Sequence, residues 1–347
     1  MQGGTEMKVL IVLDSSPVEE FKREIQVQEI LATLGPEAEI TFIQDTLMDE
    51  DDYGYVERME KEGPEWIEPQ KEVMEVLPEA EILLVHWHCV NKKMIDAGKN
   101  LKFIGVMRSG LEHINVEYAE KKGIVVKNNP GRLANSVADL ALAFMLDETR
   151  GITRRNLRLG NRELIENDKY DDFSSRPMCM LKVGLVGFGM IAREVAKRVQ
   201  ACGSKAYAYD PFCKDEVFEV MHVERVTLDE LLEKCDIISM HVRLTKDTKN
   251  LIGKEQFEKM KSNAIFVNTA RAGLVDEEAL IWSLKEKKIR GAGLDVFAEE
   301  PPRADHPLLQ MDNVTATPHI GGVFNGMLTL SLDMIVKTLK EYLEEQK

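Results

Sequence analysis

The sequence predicts an α/β protein made of two doubly wound parallel-sheet units with a cleft between them. Three observations predict it. Short apolar runs alternate with helical stretches along most of the chain, the pattern of a parallel sheet covered by helices on both faces. The chain has 347 residues, too many for one ordinary domain and suited to two. In the stretch 181–199 an apolar run, 183–186, passes through Gly187-Phe188-Gly189 into a helical pattern, the strand–turn–helix of a dinucleotide-binding fingerprint.

In the first unit, residues 8–13 read as a strand, 18–34 as a helix and 39–42 as a second strand. Residues 45–68 are acidic and irregular. Their run 49–52 reads as a solvated loop, because no second ligand cluster accompanies it, and no metal is expected. Next come a helix at 71–77, a strand at 82–85, a helix at 93–97, a strand at 103–107, a helix at 116–122 and a strand at 124–127. Asn128-Asn129-Pro130-Gly131 breaks the pattern. One long helix from Ser136 to about Leu159 follows, with Ser136 placed to cap it and Asp139 three residues on.

The second unit is Rossmann-like, and the first could be a distant, flavodoxin-like version of it. Within the fingerprint, Gly187 permits the tight turn and Gly189 lets the backbone approach a pyrophosphate. Ala192 is small enough for close helix–strand packing, and the helix start offers free N–H groups to phosphate. The strand 205–209 ends in Asp210, before Pro211. An acid there accepts hydrogen bonds from ribose hydroxyls and repels a 2′-phosphate, which favours NAD over NADP. Helices then follow at 228–234, 255–260 and 277–287. The strand 237–240 ends at His241, and 264–268 runs into Thr269-Ala270-Arg271. The strand 291–296 carries Asp295, and 314–316 ends at Pro318-His319. A final helix, 325–344, has an apolar stripe at Leu328, Leu332, Ile335, Val336, Leu339 and Leu343 and is long enough to return to the first unit. The expected domains are 1–135 with 323–347, and 136–322.

Composition narrows the partners. A net charge of −15 argues against nucleic acid or an anionic membrane. No stretch is long and apolar enough to span a bilayer, and the first residues do not read as a signal peptide; residues 1–6 read as an extension. Five scattered cysteines without a C-x-x-C point to reduced, mostly buried thiols in the cytoplasm.

Ligands of doubly wound sheets bind beyond the carboxyl ends of strands, where Arg271, the 295–300 segment and His319 stand. Hydride transfer between an alcohol carbon and nicotinamide also moves a proton on or off oxygen, work suited to a histidine. His319 precedes Gly321-Gly322, which would let a cofactor come close. Glu299 and Glu300 are candidates for a carboxylate that stabilises its imidazolium. Arg271 suits a substrate carboxylate.

These pieces resemble the D-2-hydroxyacid dehydrogenase family, phosphoglycerate dehydrogenase-like. The matching motifs are GLVGFGMIA, AYDP, DIISMHVRLTKDTKNLIG, IFVNTARAGLVDE, GAGLDVFAEEP and TPHIGG, in family order between about Ile104 and Gly322. The resemblance implies that Arg271 binds the substrate carboxylate and polarises the keto group, that His319 is the proton donor and acceptor, and that Glu300 is its partner. It implies that Asp295 binds the nicotinamide amide and that Arg108-Ser109-Gly110 offers backbone N–H groups to the carboxylate. The cofactor set it implies is Gly187, Phe188, Gly189, Met190, Ile191, Asp210, Pro211, His241, Thr248, Thr269, Ala270, Asp295, Gly321 and Gly322, holding NAD(H). Glu300 stands where formate dehydrogenases of the superfamily carry Gln, which argues against formate. The family also dimerises through the region of the long helix, so a homodimer is expected. Three places depart from its pattern: Arg243 in His241-Val242-Arg243, Val323–Asn325 after HIGG, and His86-Trp87-His88 where phosphoglycerate-specific members place basic side chains. The last weakens the case for a phosphorylated substrate, although Arg132 could still supply charge. His86 and His88 share one face of an extended chain and read as pocket lining or as structural residues ahead of a metal pair.

The expected activity is interconversion of a 2-keto acid and a (R)-2-hydroxy acid with NAD. The alternative of another class is an NADH-sensing binding protein of the corepressor type on the same fold. The lack of long disordered or basic flanks disfavours it.

Overall fold

The computed structural model describes residues 7–14, 17–47, 58–59, 62–160 and 176–346. The acidic run 49–52 and residues 1–6 lie outside the described residues. The chain divides into two compact units, Met1–Arg132 with Asn325–Lys347, and Leu133–Phe324.

The first unit holds a parallel five-stranded sheet of β1 (Met7–Leu13), β2 (Ala38–Gln44), β3 (Ile82–Val85), β4 (Phe103–Val106) and β5 (Val125–Asn128), in the order β2-β1-β3-β4-β5. Its helices are α1 (Val18–Phe21), α2 (Ile25–Ala32), α3 (Lys71–Val76), α4 (Lys92–Ala97) and α5 (Val116–Lys121). The period of two along β1 builds a core on each face. Val9, Ile11 and Leu13 join one buried cluster, and Leu10 and Val12 the other.

The second unit holds a parallel seven-stranded sheet of β6 (Lys182–Val186), β7 (Lys205–Tyr209), β8 (Glu224–Arg225), β9 (Ile237–Met240), β10 (Ile265–Asn268), β11 (Gly291–Leu294) and β12 (Val314–Ala316). The order is β12-β11-β10-β9-β6-β7-β8, so the direction of winding reverses beside β6, where the fingerprint lies. Its helices are α6 (Ala134–Arg150), α7 (Ile152–Gly160), α8 (Met190–Ala201), α9 (Asp215–Met221), α10 (Leu228–Lys234), α11 (Lys254–Lys259) and α12 (Glu277–Lys285). The last helix, α13 (Met327–Glu345), lays Leu328, Leu332, Ile335, Val336 and Leu339 into the core of the first unit.

Three local expectations are corrected. The stretch 18–34 is two helices, because Val18 and Phe21 and then Val27 and Leu31 all face the core. One unbroken helix could not hold both pairs on one stripe, and the turn between them resets the phase. The long helix is also two, divided at Gly151, whose φ of 60° is left-handed. Asp147 accepts the Thr153 N–H at 2.7 Å where the chain restarts. Ser136 does not cap; the helix begins before it, and its Oγ donates to the Gly321 carbonyl at 2.6 Å. Finally, only Cys89 and Cys235 of the cysteines are buried, and Cys179 is exposed.

Candidate active site

The carboxyl edge of the second sheet collects the sequence-predicted residues in strand order. His319 follows β12, Asp295 follows β11, Arg271 follows β10, His241 follows β9, Gly187 follows β6 and Asp210 follows β7.

At β12 the chain turns sharply. His319 has φ 54°, a left-handed backbone that a β-carbon disfavours. Hydrogen bonds hold it there: its N–H donates to the Asp295 carbonyl at 2.8 Å and the Thr317 carbonyl at 3.1 Å. Asp295 anchors the same turn with its side chain. It is 1% exposed; Oδ1 accepts from Thr317 Oγ at 2.6 Å and the Ile320 N–H at 2.8 Å, and Oδ2 from the Gly321 N–H at 2.8 Å. The imidazole is thereby aimed at Glu300. His319 Nδ1 donates to Glu300 Oε2 at 2.6 Å, and Glu300 Oε1 accepts the Phe297 N–H at 3.0 Å. This pair is partly open, with side-chain exposures of 37% and 19%. With Nδ1 committed to Glu300, Nε2 is the nitrogen left for exchange of a proton.

Arg271 begins a short turn after β10 and is exposed. Its Nη1 donates to the Ala270 carbonyl at 2.8 Å. Asn268, which sequence reasoning missed, shapes this turn. It is 2% exposed; its Nδ2 donates to the Arg271 carbonyl at 3.0 Å and its Oδ1 accepts the Ala270 N–H at 3.0 Å. Thr269 Oγ1 beside it is buried without a hydrogen-bond partner.

The fingerprint turn fits a dinucleotide. Gly187 has φ 94°, and a Cβ there would meet the His241 carbonyl carbon at 2.9 Å. A Cβ on Gly189 would meet nothing within 4 Å, which leaves space over the start of α8 for a pyrophosphate. The Phe188 ring turns into the core and stacks on Phe218 at 4.7 Å, so this residue offers only backbone to the turn. Its N–H donates to Asp210 Oδ2 at 2.8 Å, and Asp210 Oδ1 accepts the N–H groups of Phe212 and Cys213 at 2.9 and 3.0 Å. The carboxylate is therefore fixed at the tip of β7, with one lone-pair site left on Oδ2 for a ribose hydroxyl. Met190 is half exposed at the helix start, and Ile191 is partly buried. His241 is pushed down to about 3 by desolvation and is neutral at physiological pH. Thr248 is partly buried, and its Oγ1 donates to the Arg243 carbonyl at 2.6 Å. Gly322 closes the segment against Leu133.

In the first unit, Arg108-Ser109-Gly110 follows β4 and is partly exposed. His86 and His88 follow β3 but are buried, at 1% and 0% exposure. The chain bends at 86–87 rather than staying extended. Each imidazole is held by a carboxylate from the end of another strand: His86 Nδ1 donates to Asp14 Oδ1 at 2.8 Å and His88 Nδ1 to Asp45 Oδ2 at 2.7 Å. Asp14 and Asp45, which follow β1 and β2, carry no local motif. Two acids at strand ends beside a His-x-His were the available signal.

A dinucleotide turn, a fixed acid at the tip of β7 and a His–carboxylate pair on one sheet edge fit an NAD-dependent oxidoreductase. Comparison with known proteins gives the family. A family model, D-isomer specific 2-hydroxyacid dehydrogenase, NAD binding domain, matches residues 142–321. A hydroxypyruvate reductase from Thermotoga maritima is 42% identical over 276 residues, which is 78% of this chain and 87% of that protein. A D-3-phosphoglycerate dehydrogenase from Methanocaldococcus jannaschii is 42% identical over 254 residues, 73% of this chain; the match spans only 48% of that relative. The crystal structure of D-lactate dehydrogenase with NAD+ from Lactobacillus jensenii aligns with a TM-score of 0.74 at 26% identity, over 97% of this chain and 96% of that one. The chain belongs to the D-isomer specific 2-hydroxyacid dehydrogenase family. It is an NAD-dependent dehydrogenase of small 2-hydroxy acids.

Proposed function

We propose that the chain reduces short, non-phosphorylated 2-keto acids to (R)-2-hydroxy acids with NADH, His319 delivering the proton. The observation that carries this reading is the partly exposed His319–Glu300 pair on a strained, hydrogen-bonded turn. The turn at Gly187–Gly189 and Asp210 would hold NADH, which when bound would supply the hydride for the keto carbon. His319 Nε2 gives its proton to the carbonyl oxygen as charge develops there, and Glu300 stabilises the imidazolium before transfer. Arg271 pairs with the substrate carboxylate and polarises the keto oxygen, while backbone N–H groups of Arg108-Ser109-Gly110 hold the carboxylate. Asp210 takes the ribose hydroxyls, which selects NADH over NADPH. Initial rates with NADH and with NADPH, over a panel containing glyoxylate, hydroxypyruvate, phosphohydroxypyruvate and sugar-derived keto acids, test the assignment. A rate with NADH and at least one non-phosphorylated acid is expected. Specific capture of a partner protein with no oxidation of NADH by any of them would favour the corepressor reading instead.

The chain acts in the cytoplasm as a homodimer. Among the described residues no helix is long and apolar enough to cross a membrane. In α7, Ile152, Leu157 and Leu159 are 56%, 62% and 70% exposed, an apolar surface that a second copy would cover. Light scattering of a monomer at micromolar concentration would contradict the dimer.

A further inference from the structure

The first unit carries a buried polar frame that the chemistry above does not use. Asp14, at the end of β1, is engaged at both oxygens: Oδ1 accepts from His86 Nδ1 at 2.8 Å and Oδ2 from the Trp87 N–H at 2.6 Å. The side chains of Asp14 and His86 are each 1% exposed. Trp87, between two buried histidines, is only partly buried, and the Arg108 guanidinium lies over its indole. His113, fully buried, faces the same indole at 6.2 Å. The arginine's own loop is braced as well. The Asn129 N–H donates to the Arg108 carbonyl at 2.9 Å, Ser109 Oγ to the Asn129 carbonyl at 2.8 Å, and Asn128 Nδ2 to the Ser109 carbonyl at 2.5 Å. Behind them Arg132, 8% exposed, donates from Nη1 to Ser331 Oγ at 3.0 Å.

Burying a carboxylate costs several kcal/mol of desolvation, and its partners return that only when the geometry is good. Here the return is positional. The Asp14 carboxylate fixes one imidazole and one backbone N–H, and the N–H belongs to the residue on which Arg108 lies. We propose that Asp14 is a positioning residue for substrate: through His86 and the Trp87 N–H it holds the Trp87–Arg108 stack, and that stack selects 2-keto acids with a hydroxyl on the carbon beyond the keto group. The selection follows from the partly exposed Arg108 guanidinium at this sheet end. A guanidinium gains a hydrogen bond to a hydroxyl oxygen, whereas an alkyl group strips its water and returns nothing. The proposal rests on the reading of the 108–110 loop as a substrate site.

The test uses the full chain with NADH and two probes that differ at one position, hydroxypyruvate and 2-ketobutyrate, which has a methyl where the first has a hydroxyl. The wild type favours hydroxypyruvate by about tenfold or more in kcat/KM. Asp14→Asn raises the KM for hydroxypyruvate about tenfold and narrows that preference, with kcat and the KM for NADH within about threefold of wild type. A folded Asp14→Asn variant with unchanged KM and unchanged preference overturns the proposal. If circular dichroism shows that this variant does not fold, Arg108→Lys decides, because it leaves the buried pair intact but removes the flat guanidinium. The same rise in KM supports the proposal, and no change overturns it. A wild type that reduces neither probe but is active with another acid of the panel removes the proposal alone, as does an active wild type with an indifferent Asp14→Asn; a wild type inactive with the whole panel removes the proposed function with it.

Discussion

The two sheets each end in histidines paired with carboxylates, and the pairs differ in exposure. His319 and Glu300, on the second sheet, are 37% and 19% exposed. His86 with Asp14, and His88 with Asp45, on the first sheet, are at most 1% exposed. The contacts are alike, with Nδ1 donating to a carboxylate oxygen at 2.6, 2.8 and 2.7 Å. What differs is whether the far side of the ring can meet a reactant. An open imidazole can pass a proton to a substrate, whereas a buried one can only hold a shape. Burial also pushes the His86 imidazole below its ordinary value, against the pull of Asp14. On the proposed reading, the same pairing does acid–base work at one sheet end and framework at the other.

Substitutions at the carboxylates sharpen this contrast. Glu300→Gln keeps a hydrogen-bond acceptor for His319 Nδ1 but removes the charge that stabilises the imidazolium. A fall in kcat of about tenfold is expected from steady-state rates, with the melting temperature little changed because the pair is open to water. Asp45→Asn should do the reverse. It weakens a buried charge-assisted hydrogen bond and the acceptor of the Leu47 N–H, which lies at 2.9 Å. A loss of about 1–3 kcal/mol in denaturant titrations is expected, with kcat close to wild type. Equal effects of the two substitutions on rate would erase the distinction.

The smallest effect concerns pH. His113, wholly buried, is pushed down to about 3 by desolvation, with the Arg108 charge acting in the same direction. The unfolded chain binds the proton near pH 6.5 and the folded chain only near 3. Stability from this group is therefore full above about 6.5 and is lost as pH falls toward about 3. His113→Leu removes that sensitivity. Between pH 7.5 and 5.5 the wild type should lose on the order of 1 kcal/mol more than the variant, read as a difference of about 2–4 °C in the shift of melting temperature.

The fold and the dehydrogenase class were legible because they rest on local patterns. Gly187, Gly189 and Ala192 sit where one turn needs small residues, and alternating runs announce a parallel sheet. His319, Glu300 and Arg271 were legible as types at strand ends and through the family motifs around them. The contacts of Asp295 with Thr317, Ile320 and Gly321 were not, because they form only when β11 and β12 lie side by side. The Asp14–His86 pair joins residues 72 positions apart, and no local period encodes such a partner. The break at Gly151 was missed for a different reason. A glycine inside an apolar helical pattern reads as tolerated until its backbone is seen to be left-handed.

On the proposed reading the open pair, not the buried ones, moves the proton. The most direct measurement is kcat of His319→Ala with NADH and the best keto acid from the panel, alongside NADH affinity by fluorescence titration. A loss of two or more orders of magnitude in kcat, on the scale of roughly 10²–10⁴ for a missing general acid, with NADH affinity unchanged, is the predicted result. Near-normal turnover in that variant would contradict the account.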